Sequence, residues 1–325
     1  MLKFLSLILF LSIGSIVYSE PLSTPDVEDI EYPDDEEPSS ELITLGKTLF
    51  FDHRLSKNKN QSCATCHNPN LGFGEGVAHG FGTMGGKLER NTPHIYNLAW
   101  ATTFFWDGRS STLEEQAVGP IEANGEMAMP MPKFLERLRN IKGYKSLIKK
   151  AFGDEKIDKE RVTSAIAAFE RTIIVDNTPF DRYMAGDLSA MTPKAIEGMN
   201  LFKGKALCIQ CHDGANFTDD SFHNLGIDDK DLGRGKIVKD KTLNGAFKTP
   251  GLRNVLMTAP YMHNGQEGTL EDVIKFYNKG GGSGPNKDKL MVPLNLTDQE
   301  IFSLVAFLGS LNQKLEIFPP KLPKE

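Results

Sequence analysis

The 325-residue sequence lacks any run of alternating apolar and polar residues long enough to predict a β-sheet. Its N-terminal apolar run, residues 4–17, is shorter than the roughly 20 residues that a membrane-spanning helix needs. Basic residues number 37 against 43 acidic ones, so the chain has no excess of positive charge for binding nucleic acid. Only four cysteines occur. None lies directly after the apolar run, where a lipoprotein would need one, so a lipoprotein is excluded. These absences favour a mostly helical protein that does not bind nucleic acid.

The N-terminus has the features of an export signal. Lys3 precedes the apolar run, and small residues suitable for cleavage lie near Ser19, so residues 1–19 are predicted to be a signal peptide that directs the protein to the periplasm. An uncleaved membrane anchor is the alternative. Residues 20–41 are acidic and rich in proline, and they show no apolar periodicity, so we predict a disordered leader.

The four cysteines would normally indicate two disulfides in an exported protein, but their spacing indicates haem attachment. All four lie in two copies of Cys-x-x-Cys-His, in which two thiols bind one porphyrin and the adjacent histidine binds its iron. The copies are Cys63-Ala64-Thr65-Cys66-His67 and Cys208-Ile209-Gln210-Cys211-His212. A zinc half-site or a redox dithiol is the alternative for one such motif. Two complete copies favour two covalently bound haem c groups.

A constant spacing of 157 residues relates three further pairs of segments in the two halves of the chain. The pairs are Thr92-Pro93-His94-Ile95-Tyr96-Asn97 with Thr249-Pro250-Gly251-Leu252-Arg253-Asn254, Phe104-Phe105-Trp106-Asp107-Gly108-Arg109 with Tyr261-Met262-His263-Asn264-Gly265-Gln266, and Thr112-Leu113-Glu114-Glu115 with Thr269-Leu270-Glu271-Asp272. Upstream, Gly46-Lys47-Thr48-Leu49-Phe50 resembles Gly198-Met199-Asn200-Leu201-Phe202. The chain therefore contains a duplicated unit, and each copy is predicted to bind one haem.

The predicted fold is mostly α, with two tandem cytochrome-c-like domains at residues 42–185 and 186–312 and a C-terminal tail at 313–325. Apolar periodicity predicts amphipathic helices at 132–152, 158–175 and 193–203. Capping-box sequences indicate three more helix starts. They begin at Thr112, Thr269 and Thr297.

Three methionines and two histidines have ordinary interpretations. Met127, Met129 and Met131 are interpreted as a loop that packs on haem rather than as ligands of a soft metal. His94 and His223 have no partners at ligand spacing, so both are interpreted as structural or surface residues.

Motifs along most of the chain resemble the bacterial di-haem cytochrome c peroxidases and the related MauG proteins. The likeness extends from about Leu45 to about Leu311. The segments that carry it are Leu49-Phe50-Phe51-Asp52-His53-Arg54-Leu55-Ser56, Ser62 with the first haem motif, Trp106-Asp107-Gly108-Arg109, Leu113-Glu114-Glu115-Gln116, Pro120-Ile121, Glu126-Met127 and Thr258-Ala259-Pro260-Tyr261-Met262-His263-Asn264-Gly265. The resemblance implies that peroxide is cleaved at the N-terminal haem while the C-terminal haem receives electrons.

The resemblance also implies roles for residues outside the haem motifs. Glu126 would be the acid/base that moves a proton between the two peroxide oxygens, and Gln116 would assist it, since cleavage of the O–O bond needs such a proton carrier. Surface positions are the alternative for both. Trp106 would lie between the haems, with His263 as its counterpart in the second domain. A core aromatic residue is the alternative there.

A calcium site is implied as well. Asn91, Thr258 and Pro260 match an interdomain site made of one side-chain oxygen and two backbone carbonyls, and ligation by oxygen alone suits Ca²⁺.

Two positions depart from the peroxidase pattern. Thr83 occupies the place where many of these peroxidases hold a distal histidine, and the nearby His79 is the alternative ligand. We therefore expect a five-coordinate N-terminal iron that needs no reductive activation. Tyr277 lies fourteen residues past His263, where the peroxidases have methionine and MauG has tyrosine. Phenolate favours ferric iron, so we expect a low-potential C-terminal haem unless Tyr277 only packs there.

The sequence thus predicts a periplasmic di-haem peroxidase that reduces hydrogen peroxide to water. Its electrons would come from a small redox protein, either a cytochrome c or a cupredoxin. A MauG-like oxidase that modifies a partner protein is the alternative, and a plain electron-transfer cytochrome is a third. Family members are often homodimers, although the sequence shows no interface.

Overall fold

The computed structural model describes residues 20–324. The predicted signal peptide, residues 1–19, lies outside the described residues. Among residues 20–324, no helix combines the length and the apolar character needed to span a bilayer.

Helices and loops make up nearly all of the described chain, which confirms the predicted fold class. The helices are α1 (Ser40–Phe51), α2 (Cys63–Cys66), α3 (Leu113–Glu122), α4 (Met131–Asn140), α5 (Lys142–Phe152), α6 (Lys159–Arg171), α7 (Pro179–Met184), α8 (Pro193–Lys203), α9 (Gly233–Val238), α10 (Leu270–Asn278) and α11 (Asp298–Gly309). Between residues 20 and 324, strands occur only as one antiparallel pair, β1 (Phe222–His223) with β2 (Phe247–Lys248).

The helix starts follow the capping signals. The side chains of Thr112, Thr269 and Thr297 each accept a hydrogen bond from the third backbone N–H of the helix that follows. The reciprocal side-chain bond of a full capping box forms at Thr297. At α3 it does not form, because Glu115 instead accepts from the backbone N–H of Ser111 at 2.9 Å.

The predicted helix at 132–152 is two helices in the structure. Ile141 separates α4 from α5 with extended dihedral angles (φ −91°, ψ 100°). Its side chain is buried in the same apolar cluster as Leu138 and Tyr144, so the break brings both helices onto one core. The helix predicted at 193–203 matches α8, whereas the one predicted at 158–175 is shorter and ends at Arg171.

Equivalent glycines bring equivalent helices together in the two domains. A Cβ on Gly46 of α1 would lie 1.7 Å from the carbonyl oxygen of Ala165 in α6. A Cβ on Gly198 of α8 would lie 1.9 Å from the carbonyl oxygen of Ser303 in α11. Only glycine permits such close approach, so both copies of the duplicated unit use the same helix packing.

The domain boundary lies earlier than predicted. Helix α7, assigned by sequence to the N-terminal domain, packs with the C-terminal core, where Phe180 contacts Phe217 and Phe307 edge to face. Asp181 of the same helix forms a buried ion pair with Arg253 at 3.0 Å. The second domain therefore begins before residue 179.

The two terminal segments each pack on the domain that is distant in sequence. The predicted disordered leader differs from the structure, because Leu22 is buried in the C-terminal core and the Glu20 N–H donates to Asp213 at 2.7 Å. The tail returns to the N-terminal domain, where Leu315 and Ile317 pack against its core. Burial of these apolar side chains orders both segments, including the leader whose composition alone predicted disorder.

Candidate active site

The N-terminal domain contains a cavity, called here the N-terminal cavity, whose wall includes Cys66 and His67. Helix α2 carries both cysteines of the first motif, and His67 follows directly as its C-cap. Nδ1 of His67 lies 3.1 Å from the carbonyl oxygen of Phe73. Because a carbonyl only accepts, Nδ1 donates, and Nε2 of the neutral ring keeps its lone pair for a metal ion. Burial lowers the pKa of His67, which favours this neutral form.

The C-terminal cavity has the same arrangement, with Cys208, Cys211 and His212 in its wall. Nδ1 of His212 donates to the carbonyl oxygen of Phe217 at 2.9 Å. Phe73 and Phe217 both have φ of 56°, a left-handed conformation that turns each carbonyl toward its histidine. The two histidines are therefore oriented by equivalent backbone carbonyl groups.

No disulfide joins the four cysteines in the described part of the chain, and they fit covalent haem attachment. Burial raises the pKa of Cys63 and of Cys208 to about 12. Neutral sulfur therefore suits these sites better than thiolate, as a thioether bond to a porphyrin requires. Thiolate ligands of zinc would need the opposite environment.

One wall separates the two cavities. Residues that line both are Asn91, Thr92, Pro93, His94, Trp106, Lys248, Pro250 and Gly251. The wall thus consists of the duplicated Thr-Pro segments together with one tryptophan. Nε1 of Trp106 donates to the carbonyl oxygen of Asn91 at 2.8 Å, which fixes the indole in the wall.

Ion pairs hold the domains together beside this wall. Arg90 contacts Asp107 of its own domain at 2.6 Å and Asp231 of the other domain at 2.6 Å. Arg234 of the C-terminal domain donates to the carbonyl oxygen of Gly108 at 2.7 Å. These contacts keep the two cavities at a constant separation.

The structure brings Glu126 and Gln116 into the N-terminal cavity with His67. Burial raises the pKa of Glu126, while the Arg109 guanidinium opposes that rise and Glu75 adds to it. A carboxyl group with a raised pKa can both accept and return a proton near neutral pH. Gln116 lies on α3, which ends shortly before Glu126.

A hairpin supports the backbone of Glu126. The Thr83 N–H donates to the carbonyl oxygen of Glu126 at 2.8 Å. A Cβ on Gly82 would lie 1.7 Å from the carbonyl oxygen of Gly125, so glycine is required for the hairpin to approach so closely. The Thr83 side chain is only 3% exposed and bonds to Asn60 instead of facing the cavity.

His79, the alternative ligand, lies on the same hairpin. Its Nδ1 is buried and has no hydrogen-bond partner in the described part of the chain. His79 is not among the residues that line either cavity.

Tyr277 lies in the wall of the C-terminal cavity that His212 also lines. No hydrogen bond from its hydroxyl group to any of residues 20–324 is present, and burial raises the pKa of the phenol. A buried phenolate requires a compensating cation, and ferric iron is one. His212 and Tyr277 therefore fit a haem, whose iron they would hold through a nitrogen and an oxygen atom.

The three predicted calcium ligands lie around the C-terminal cavity, whose wall contains Asn91, Thr258 and Pro260. The amide nitrogen of Asn91 donates to the carbonyl oxygen of Val77 at 3.1 Å. Its side-chain oxygen is therefore the atom available to a cation. The donor set of amide and carbonyl oxygens fits Ca²⁺.

Several residues at the cavities were missed or misassigned by sequence. Glu170 lines the N-terminal cavity but carries no motif signal, whereas Arg109 was visible as the last residue of the Trp-Asp-Gly-Arg motif. The three methionines pack in the N-terminal helical core and do not line the cavity, so their predicted packing on haem is wrong. The reason is that the loop between α3 and α4 turns back onto the helices.

His223 was predicted to be a structural or surface residue, but it makes close contacts to two carboxylates beside a cavity. It lines the C-terminal cavity, and its two ring nitrogens contact Asp219 at 2.8 Å and Asp288 at 2.6 Å. The hydrogen bond to Asp219 is the largest cause of a raised pKa of His223, followed by Cys211 and then by Asp288. His94, in contrast, is structural as predicted: it donates to the carbonyl oxygen of Gly251 at 2.9 Å.

Comparison with known proteins gives a consistent result. The family model for di-haem cytochrome c peroxidase matches residues 40–189. The sequence is 46% identical to the methylamine utilization protein MauG of Methylorubrum extorquens, over 91% of this chain and 85% of that protein. It is 37% identical to cytochrome-c peroxidase IdrP1 of Denitromonas iodatirespirans, over 90% of this chain and 88% of that protein.

A solved structure supports the same assignment. The fold matches the crystal structure of a MauG-like protein associated with microbial copper homeostasis with a TM-score of 0.82. The match covers 94% of this chain and 96% of that one at 29% sequence identity. Two c-type haem cavities that share one wall within a helical fold define a di-haem cytochrome of the peroxidase class. The chain belongs to the di-haem cytochrome c peroxidase and MauG family, and it is a peroxidase-like oxidoreductase with two haem c groups.

Proposed function

We propose that this protein reduces hydrogen peroxide to water at the N-terminal haem, using electrons that enter through the C-terminal haem. The observation that carries the proposal is the position of Glu126 in the same cavity as His67, with Thr83 turned away from that cavity. Such a site has a proton carrier beside an iron position that no distal histidine occupies. The predicted export signal supports a periplasmic location for this reaction.

When bound, the N-terminal haem supplies the iron that binds peroxide and the electrons that break its O–O bond. Glu126, as a carboxylate, accepts a proton from one peroxide oxygen and returns it to the other, which leaves as water. Gln116 orients the peroxide by hydrogen bonding. In the complete reaction, one hydrogen peroxide, two protons and two electrons give two water molecules.

Electrons cross from the C-terminal to the N-terminal cavity through their common wall. Trp106 is the aromatic residue that lines both cavities, and its indole is fixed by the bond to Asn91. His67 and His212 would each hold the iron of one haem, with the haems attached at Cys63 and Cys66 and at Cys208 and Cys211. The donor is a small redox protein, a cytochrome c or a cupredoxin, in keeping with the name of the cytochrome-c peroxidase relative.

A MauG-like oxidation of a partner protein is the second candidate. Tyr277 favours it, because a phenolate ligand from this residue would stabilise the oxidised C-terminal iron and oppose its use as a high-potential electron acceptor. The 46% identity to a methylamine utilization protein also favours it. Both functions use the same peroxide site and differ in where the oxidising equivalents go.

A calcium ion held by the side-chain oxygen of Asn91 and the carbonyl oxygens of Thr258 and Pro260 completes the proposed site. It would join the wall to the C-terminal domain without taking part in proton transfer. Dialysis against a calcium chelator is expected to lower the interhaem electron-transfer rate, and added Ca²⁺ is expected to restore it.

Steady-state peroxide consumption by the purified di-haem protein, with a reduced small cytochrome c as donor, tests the proposal. Glu126→Gln is expected to lower the rate by about 10²-fold or more, with both haems still bound. The matched control is Glu136→Gln, which replaces an exposed carboxyl group on α4. It should leave the rate of peroxide consumption unchanged. Slow turnover of the donor with oxidation of a partner protein would favour the second candidate, and inertness toward peroxide would contradict both.

A further inference from the structure

The N-terminal cavity contains a second carboxyl group that peroxide cleavage does not use. Glu170, one residue before the end of α6, is 5% exposed and lies in the cavity wall. Its Oε2 is fully buried and has no hydrogen-bond partner in the described part of the chain. A buried polar atom without a partner is costly in a folded protein, so its persistence calls for a function.

No cation neutralises Glu170 among residues 20–324. The adjacent Arg171 bonds to Glu114 of α3, at 2.7 Å and 3.3 Å, and not to Glu170. An isolated buried carboxylate is costly in free energy, so the neutral acid is favoured. Burial, opposed by Arg171 and reinforced by Glu114, raises the pKa of Glu170 to about 8.

The other elements around Glu170 bring little charge that could change. The turn Leu98–Trp100 has no ionisable side chain, and α1 meets α6 through Gly46 and through Phe50, whose ring lies 5.2 Å from that of Phe169. Cys63 of α2 also acts on Glu170 electrostatically, but its sulfur becomes a neutral thioether once haem is attached. Glu126, which lines the same cavity, is a further titratable group, so the charges that can change around Glu170 are those of Glu126 and of the haem iron.

We propose that Glu170 is the proton-accepting group coupled to reduction of the N-terminal haem. When one electron from a reductant converts ferric to ferrous iron, the Glu170 carboxylate takes up one proton and becomes a carboxylic acid. Reoxidation of the iron releases that proton. The physical reason is that ferric haem carries one more positive charge, which favours the carboxylate, and this interaction is strong in a poorly solvated cavity.

Peroxide reduction consumes two protons. Glu170 would bind one of them when the N-terminal haem receives an electron. The inference rests on haem attachment at Cys63 and Cys66 and does not depend on the proposed peroxidase activity. It can therefore be tested without peroxide, so that its failure is separable from failure of the proposed function.

Potentiometric titration of the N-terminal haem in the holoprotein, at pH values from about 5.5 to about 9, tests the proposal. The wild-type midpoint potential is expected to fall as pH rises, because oxidation releases a proton. Glu170→Gln should remove most of this dependence, and Glu170→Asp should retain it with a displaced pKa. Glu160→Gln, on the same helix and with a 75% exposed side chain, is the matched control and should behave as wild type.

Redox-difference infrared spectroscopy gives a second reading. Reduction of the wild-type protein is expected to produce a protonated-carboxyl C=O band that Glu170→Gln lacks. A Glu170→Gln variant with full haem content whose midpoint potential depends on pH as in wild type would overturn the proposal and assign the proton to another group, such as a haem propionate.

Discussion

Trp106 and His263 are equivalent residues of the two duplicated units, and their rings meet at the domain boundary with centroids 6.5 Å apart and planes inclined by 72°. His94 and Gly251, also equivalent and 157 residues apart, are hydrogen-bonded across the same boundary. Equivalent residues contact each other where a two-fold axis passes, so the domains are related by a pseudo-two-fold axis through the common wall. A direct path between the two haem cavities therefore crosses this axis at the common wall.

The position of Trp106 on the axis predicts that it carries electrons between the haems. Trp106→Phe is expected to slow interhaem electron transfer by about tenfold or more, equivalent to about 1.4 kcal/mol in the barrier. Stopped-flow reduction, followed at the wavelengths of the two haems, measures the rate. The control is Trp100→Phe, since Trp100 lines the N-terminal cavity only.

A purely structural role for Trp106 would give a different result. Loss of its bond to Asn91 would then lower haem content or the unfolding temperature while leaving the electron-transfer rate of the folded fraction unchanged. That pattern would rule out the electronic role.

The acid limb of the pH profile should report Glu126. The carboxyl must be ionised to accept a proton from peroxide, so kcat/KM falls as pH drops through its pKa, which burial raises. Arg109→Gln removes a cation that lowers this pKa. The limb should therefore move to higher pH, because the charge of Arg109 opposes the rise in the pKa of Glu126.

Arg109→Lys keeps the charge and serves as the matched control for this shift. The acid limb of its pH profile is expected to lie closer to the wild-type position than the acid limb of Arg109→Gln. An acid limb that stays in place in Arg109→Gln would show that another group titrates there.

Tyr277 is predicted to bind the C-terminal iron. Tyr277→Met exchanges a hard anionic oxygen for a soft thioether, which favours ferrous iron, so the midpoint potential of the C-terminal haem should rise. Tyr277→Phe removes the ligand and should convert that haem to a high-spin form in the electron paramagnetic resonance spectrum. If both variants keep the wild-type potential and spectrum, Tyr277 only packs in the cavity.

His223 is predicted to stabilise the C-terminal domain in a pH-dependent way. Its folded-state pKa is raised above its ordinary value of about 6.5 by Asp219 first and also by Asp288, so its stabilising effect is complete below about pH 6.5 and is lost as pH rises through the raised pKa. His223→Gln should lower the free energy of unfolding by about 2 kcal/mol at acidic and neutral pH, since it leaves Asp219 and Asp288 without their cation.

Urea unfolding of the holoprotein at about pH 6 and about pH 10 measures this effect, with the exposed His53→Gln as control. The difference between wild type and His223→Gln is expected to shrink at the higher pH. A difference that stays constant would mean that His223 contributes by packing and not by charge.

Local sequence was sufficient for the haem motifs, the helix starts and the duplication. Cys-x-x-Cys-His places its own ligands on or directly after one short helical turn, and a threonine cap such as Thr297 needs only the next three residues. The constant spacing of the repeats even paired Trp106 with its counterpart His263 before any contact was known. These features depend on interactions within a few residues, or on copying of one unit, and both are visible along the chain.

Tertiary structure alone decided the features that depend on burial or on partners distant in the chain. In the sequence, nothing distinguishes Glu170 from other carboxyl residues of a helix. Its position in a cavity wall, and the bond of Arg171 to Glu114, exist only in the folded protein. Leu22 ordered a segment whose composition predicted disorder, because its apolar partners come from the other end of the chain. A pKa or a buried contact is set by the dielectric environment and by neighbours that folding assembles, and no spacing in the sequence encodes them.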